Sequence, residues 1–228
     1  MRIEFVRRLN RRLRPLRHRV WARGLRALGR EQEAAVWISR LAKGLFAEDE
    51  SGLLYRSVRS IGAPGDIAEI GSWMGRSSIV MGLALRDAGS TTRRIYAIDP
   101  HMGSDEHRDF IAQHGSTFSA FLHNVAEANV DDLIEPLVMK STDGARMLAE
   151  RRVRLGMVFI DGAHDEASVR EDIRSFLPLL NPRATVALHD CEENGGFPGV
   201  WRAFQAELAP RVEILERASS LLVTRLKA

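Results

Sequence analysis

Three carboxylates and two imidazoles stand just beyond the ends of short apolar runs. Asp99 follows Arg94–Ile98, Asp161 follows Leu155–Ile160, and His189-Asp190 follows Ala184–Leu188, with His164 three residues after Asp161. If the runs ending at Asp161 and Asp190 are neighbouring parallel strands, their backbones lie about 4.8 Å apart. Two carboxylates that close repel unless a proton or a cation stands between them. A hard divalent ion such as Mg2+ takes one or two carboxylates and fills its shell with water and substrate oxygens; a hydrogen-bonded acid pair is the alternative. An imidazole with a pKa near 6.5 can accept the proton of a hydroxyl that such an ion acidifies, and His164 is the first candidate for that base. Its other reading is a histidine that opens the next helix or touches a ligand. His101 and His107, in the polar stretch after Asp99, are alternates, whereas His18 and His123 read as surface or packing residues.

The elements that must position these groups alternate along the chain. Asp66–Ile70 reads as a buried strand, turns at Gly71-Ser-Trp-Met-Gly75 into the helical pattern Ser77–Leu85, and is followed by the strand Arg94–Ile98. Strand, glycine turn, helix, strand and terminal acid form the layout of a nucleotide-type pocket, in which glycines let the backbone approach the ligand and the acid binds ribose hydroxyls. Neither G-x-G-x-x-G nor a Gly-Lys-Ser/Thr ending is present, which argues against an NAD-dependent oxidoreductase. Further strands read at Ile134–Met139, Leu155–Ile160 and Ala184–Leu188, with helices at Phe118–Ala128, Glu166–Leu177 and Val200–Leu208 and a turn at Ser141–Ala145 into a short helix. Val212–Leu215 and Leu221–Thr224 are too close in sequence for a parallel crossover and are expected to pair antiparallel. Gly71, Asp99, Asp161 and His189-Asp190 then share the carboxyl edge of the sheet, where open α/β folds bind ligands. The turn-rich segment Pro100–Asp109 on that edge reads as a lid.

Glu69-x-Gly71-x-x-x-Gly75, with Ser77 opening the helix and Asp99 closing the next strand, resembles the first two motifs of the class I S-adenosylmethionine-dependent methyltransferases. The resemblance covers roughly Gly62 to the C-terminus. It implies an α/β fold: a Rossmann-like, seven-stranded, mostly parallel sheet with a reversed last strand and helices on both faces. It also implies that Glu69, Gly71, Ser72 and Gly75 lie beside the amino-acid part of S-adenosylmethionine, with Trp73 against its apolar side and the Ser77 hydroxyl near its carboxylate. Asp99 takes the ribose hydroxyls in this reading, a charged hydrogen bond worth about 1.5–3 kcal/mol, and Ser141-Thr142 lies on the adenine side. A turn acid and a plain helix cap are the respective alternatives.

The run Asp161-Gly-x-His164, with His189-Asp190 later, resembles the metal-dependent small-molecule O-methyltransferases, including those acting on sugar hydroxyls of natural products. That resemblance implies Asp161, Asp190 and His189 as ligands of Mg2+ or another divalent cation, with Asp161 also beside the cofactor. Imidazole matches Mg2+ poorly, which weakens His189 as the third ligand. The implied acceptor is a small hydroxylated molecule, a sugar or glycosylated metabolite before a catechol, because the catechol type carries Asp-Asn where His189-Asp190 stands. A non-catalytic cofactor-binding protein is the reading from another class, and the presence of Asp161, His164 and Asp190 argues against it.

A chain of 228 residues, 45% apolar and 28% charged, suits a domain with a sizeable core. We divide it into a helical extension, 1–61, and a cofactor-binding domain, 62–228. The single cysteine, Cys191, excludes an internal disulfide and a cysteine-cluster zinc site. With no signal-like apolar segment and no apolar run near ~18 residues, the expected location is cytoplasmic. The net charge of +3 hides an asymmetry: residues 1–30 hold eleven arginines against one acid, Glu4. Ile3, Val6, Leu9, Leu13, Leu16 and Val20 recur at helical steps, a basic amphipathic helix with a break expected near Pro15. It reads first as a packed helix with a solvated basic face; its apolar stripe needs a partner, so a homo-oligomer or cover over the acceptor site is expected, with peripheral contact to an anionic membrane as the alternative. Nucleic acid is not expected, because stacking aromatics beyond Trp21 are missing. Glu31–Phe46 and Ser51–Ile61, the latter opening on a capping Ser51, complete the helical extension.

Overall fold

The computed structural model describes residues 2–44, 46–90, 92–103 and 108–227. Its strands are β1 Asp66–Ile70, β2 Ile95–Ile98, β3 Ile134–Leu137, β4 Leu155–Ile160, β5 Leu180–Leu188, β6 Val212–Ala218 and β7 Leu221–Leu226. The helices are α1 Arg2–Ala27, α2 Glu31–Ser39, α3 Glu48–Arg59, α4 Arg76–Asp87, α5 Arg108–His114, α6 Phe118–Glu127, α7 Ser141–Glu150, α8 Glu166–Phe176 and α9 Pro198–Glu207. Short 3-10 turns link several of them.

The strands form one sheet in the order β3-β2-β1-β4-β5-β7-β6. Strands β1 to β5 are mutually parallel, and β7 runs antiparallel to both β5 and β6. The chain winds outward from β1 to β3, then crosses back to place β4 on the other side of β1. The crevice between the β1 and β4 ends is therefore the switch point at which such sheets bind ligands.

Strands covered on both faces read as continuous apolar runs, and β4 is buried at every position. Alternate side chains enter two different cores. Ile67, Met157, Phe159 and Ala187 meet α1–α4 and α6, whereas Ala68, Ile70, Val158, Ile160 and Leu188 meet α7–α9. Truncating fully buried Phe159 to Ala is worth about 3–5 kcal/mol by its transfer and cavity costs.

Several expected boundaries move. Helix α1 passes through Pro15 without the expected break; the ring removes one hydrogen bond, and the flanking turns persist. Helix α2 ends at Ser39 rather than Phe46, where the Ser39 hydroxyl turns back to the Val36 carbonyl at 2.8 Å. Ser51 lies inside α3 instead of capping it. The Glu50 carboxylate takes the Ala47 N–H at 2.8 Å and supplies the capping contact. The short helix expected after a turn at Ser141–Ala145 already begins at Ser141, as α7, and α5 is an additional short helix that starts at the end of the lid segment. Among the described residues no helix is long and apolar enough to cross a membrane.

Candidate functional site

Hydrogen bonds continue past the strand ends and fix a staircase of turns along the carboxyl edge. Gly71 N–H reaches Ile98 O at 3.0 Å, Asp99 N–H reaches Leu137 O at 3.1 Å, Asp161 N–H reaches Ile70 O at 2.8 Å and His189 N–H reaches Ile160 O at 3.0 Å. Gly71 has φ +83°, and a Cβ there would stand 2.0 Å from the Asp161 carbonyl oxygen, so only glycine lets the β1 turn touch the end of β4. Trp73, His101 and Asp190 adopt left-handed backbone conformations at this same edge, the kind of local strain that concentrates at functional sites.

Asp99 ties two of these turns together. Its Oδ2 accepts from Trp73 N–H at 2.7 Å and its Oδ1 from His101 N–H at 2.6 Å. Each carboxylate oxygen retains a second lone pair for an incoming hydroxyl. Nearby Ser72 is buried, and its Oγ has no hydrogen-bond partner among the described residues. A buried hydroxyl left unsatisfied is costly, so a polar ligand group at this turn would relieve it.

Glu69 and Ser77 do not face that opening as expected. Glu69 is completely buried beneath the turn, with both carboxyl oxygens against the hydroxyls of Ser77 and Ser78. Burial pushes its pKa up to about 8 against the pull of the two serines. It braces the start of α4 from below, and the Ser77 hydroxyl is spent on it.

At the other side of the crevice His189 sits at the centre of an acid cluster. Its Nδ1 is 3.0 Å from Asp161 Oδ1 and 3.1 Å from Asp190 Oδ2, and its Nε2 is 3.2 Å from Glu50 Oε2. Burial alone would lower its pKa, but Asp161, Asp190 and Glu50 outweigh burial and raise it to about 12. Both of its nitrogens face carboxylates here, and the side chains whose ligand atoms converge are those of Asp161, His164 and Asp190. Glu50 in turn accepts from Ser220 N–H at 3.0 Å and Ser220 Oγ at 2.7 Å; burial opposes ionisation, yet His189 and these donors bring its pKa down to about 2.

His164 joins the same cluster from the turn before α8. Its Nε2 stands 3.1 Å from Asp190 Oδ2, and its ring stacks on Phe197 with centroids 4.2 Å apart. Asp165 caps α8 by accepting from Ser168 N–H at 3.0 Å, and Gly199 lets α9 approach the His164 backbone. Potential ligand atoms of Asp161, His164 and Asp190 all lie within 4.8 Å of one another. Asp190 is held well below the usual carboxylate range by His164 and His189 in spite of its burial, whereas burial pushes Asp161 up. Glu50, Asp161 and Asp190 surround one imidazolium, so the cluster has acid groups in excess, and two carboxylates with an imidazole form a donor set for a divalent cation. Such a mixed set suits Mn2+ or Zn2+ at least as well as Mg2+.

The remaining expected residues fall around this core. The Trp73 ring lies against Phe110 of α5 at 5.9 Å. Ser141 opens α7, but its hydroxyl is bound by Asp172, whose carboxyl is raised by burial to about 6. His101 is not an exposed lid residue: it is fully buried against Phe118 and Phe121, with Nδ1 2.8 Å from Thr117 Oγ1. His107 lies outside the described residues. His18 packs on Trp37, and His123 is exposed. Three participants were missed from sequence, namely Glu50, Asp172 and Phe197. Of these only Glu50 stood out locally, as one of three acids in the run Glu48-Asp-Glu50, and that run reads equally as a solvated helix start.

Comparison with known proteins places residues 68–191 in a match to a family model described as a methyltransferase domain. Over 182 residues, 72% of this chain, the sequence is 29% identical to the 8-demethyl-8-(2,3-dimethoxy-alpha-L-rhamnosyl)-tetracenomycin-C 4'-O-methyltransferase of Streptomyces olivaceus. The match spans 66% of that relative, and 15% of a second, longer curated relative. Among solved structures, CalS11, a TDP-rhamnose 3'-O-methyltransferase of calicheamicin biosynthesis, superposes with TM-score 0.54 at 18% identity, covering 77% of this chain and 76% of that one. TomG of Streptomyces achromogenes, an O-methyltransferase of tomaymycin synthesis solved with S-adenosylmethionine, gives TM-score 0.60 at 22% identity over 87% of this chain and 90% of its own.

Proposed function

We propose that this chain, which belongs to the methyltransferase-domain family, moves a methyl group from S-adenosylmethionine to a hydroxyl of a small-molecule acceptor with the help of a divalent cation. One observation carries the reading: the open cluster of Asp161, His164 and Asp190 lies against the glycine turn that would hold the cofactor, joined to it where Gly71 meets Asp161. When bound, the cofactor supplies an electrophilic methyl on a sulfonium and the cation lowers the pKa of an oxygen it touches. On the cofactor side, Asp99 binds the ribose hydroxyls, the Ser72 hydroxyl and the backbone at Gly71 and Gly75 take the amino-acid end, Trp73 lines the apolar side, and the start of α7 at Ser141 borders the adenine.

Asp161 and Asp190 hold the cation. The imidazolium of His189, fixed by Glu50, keeps the two carboxylates in place and limits their repulsion. His164 accepts the acceptor hydroxyl's proton. Asp190, 3.1 Å from Nε2, stabilises the imidazolium that forms. A second reading, in which His164 is the third metal ligand, is supported by its place within the same 4.8 Å cluster. One nitrogen cannot do both, so the affinity of Mn2+ for His164→Ala separates them: unchanged for a base, and lost for a ligand.

A sugar or glycosylated acceptor is favoured over a catechol. The support is the rhamnosyl acceptor named for the tetracenomycin enzyme and the rhamnose nucleotide named for CalS11. The test supplies labelled S-adenosylmethionine, with Mg2+ or Mn2+, to a panel of glycosides and catechols. Label on a glycoside hydroxyl, abolished by chelator and restored by the ion, is the expected result. Label on catechols alone overturns the sugar assignment, and full transfer in chelator overturns the metal.

A further inference from the structure

The outer face of α1 carries apolar surface that neither the fold nor the proposed reaction uses. Its inner face is already committed. Ala22 and Leu25 are buried, and His18 stacks on Trp37 of α2 with ring centroids 5.1 Å apart. Arg26 clasps both carboxylate oxygens of Asp87 at 3.0 and 3.1 Å, and Arg19 reaches the Glu127 carbonyl at 2.9 Å. The helix is thus pinned along the outside of the layer formed by α2, α4 and α6. Turned away from that layer, Leu16 and Val20 on the helix and Leu28 just beyond it are between 58% and 72% exposed, while Trp21, 59% exposed, borders this face with its ring 6.1 Å from that of Trp37. Leu16 and Val20 are one turn apart on a single stripe, and Arg17 and Arg23 are exposed beside them.

We infer that this face docks on an anionic lipid bilayer. The charge decides among the occupants. Eleven arginines and one acid stand in the first thirty residues; with Arg19, Arg26 and Arg30 paired to Glu127, Asp87 and Glu33 the arm still keeps a positive excess, and a second copy seated on the same face would bring two such arms within a Debye length, about 8 Å at physiological salt. A nucleic acid would use the arginines but leave the aliphatic row of Leu16 and Val20 exposed, with no base-stacking role. An anionic bilayer satisfies both sets of groups: the apolar side chains enter the boundary with the acyl chains, the indole takes the interface, and the guanidinium groups meet lipid phosphates.

The test is co-sedimentation of the full chain with phosphatidylcholine vesicles prepared with and without phosphatidylglycerol. The expected result is association about tenfold or more stronger with the anionic vesicles, weakened by salt. Replacing Leu16→Ser together with Val20→Ser should remove most of that association, and Arg17→Gln with Arg23→Gln should weaken it and reduce its salt dependence. All four positions are exposed, and an unfolding midpoint equal to the parent's checks that each variant folds. Equal association with both vesicle types, anionic binding that survives the serine pair, a dimer mass in light scattering that the serine pair converts to monomer, or tighter binding to a duplex oligonucleotide would each overturn the inference.

Discussion

His164 and His189 show how differently two histidines on one edge can behave. His189 is 8% exposed and enclosed by three carboxylates, which favour its charged form. His164 stacks on Phe197 at the mouth of α8, with Asp190 3.1 Å from its Nε2 and Asp161 in the same cluster. His164→Ala is predicted to lower kcat by roughly 10²–10⁴, the range for a lost general base, with cofactor affinity changed little. Single-turnover kinetics beside cofactor titration measures the split, and a fall in cofactor affinity as large as the fall in rate would refute it. The sequence marked both histidines as site residues but did not show Glu50 beside His189. A His-Asp pair at a strand tip looks the same whether it binds metal or an acid, and what decides here is Glu50, 139 residues earlier in the chain.

Glu50 also joins elements, since it links the start of α3 to the end of β5 through His189 and to the β6–β7 turn through Ser220. Glu50→Gln is predicted to destabilise the fold by about 1.5–3 kcal/mol at neutral pH, measured by urea unfolding. Its folded pKa of about 2 lies below the ordinary 4.5, so its ionic contribution is complete above pH 4.5 and is lost as pH falls toward 2. His189 has the opposite sign. With its pKa raised from 6.5 to about 12, its contribution is complete below pH 6.5 and declines as pH rises toward 12. The stability gap between parent and Glu50→Gln should therefore narrow below pH 4.5, and a gap that stays constant to pH 2 would show that the carboxylate charge is irrelevant. Gly71→Ala combines a left-handed backbone with a Cβ placed 2.0 Å from the Asp161 carbonyl, and is predicted to cost about 2–5 kcal/mol in the same assay. Strands were legible at this scale because burial on both faces leaves unbroken apolar runs such as Leu155–Ile160. Helix ends were less so: Ser51 resembled a cap, while the cap contact came from a neighbouring glutamate whose length lets it fold back to Ala47.

For the molecule as a whole, the order of strands follows from how the chain alternates. Two βα units wind one way from β1, the next crosses back, and the last two strands form an antiparallel hairpin, so the glycine turn after β1 and the acids after β4 and β5 arrive on one edge. Strand and helix alternation, the closing hairpin and the acid-marked strand ends were all visible in the sequence. The course of α1 across the helical layer was not, because its anchors Asp87 and Glu127 lie 61 and 108 residues from Arg26 and Arg19. The central claim is that this edge is built around S-adenosylmethionine, with Asp99 as its ribose acid. Calorimetric titration of the full chain with S-adenosylmethionine, its demethylated product and NAD tests it most directly. Binding of the first two, weakened roughly ten- to a hundredfold by Asp99→Ala, with no heat from NAD, is the predicted result. Binding of NAD without S-adenosylmethionine, or cofactor affinity untouched by Asp99→Ala, would contradict it.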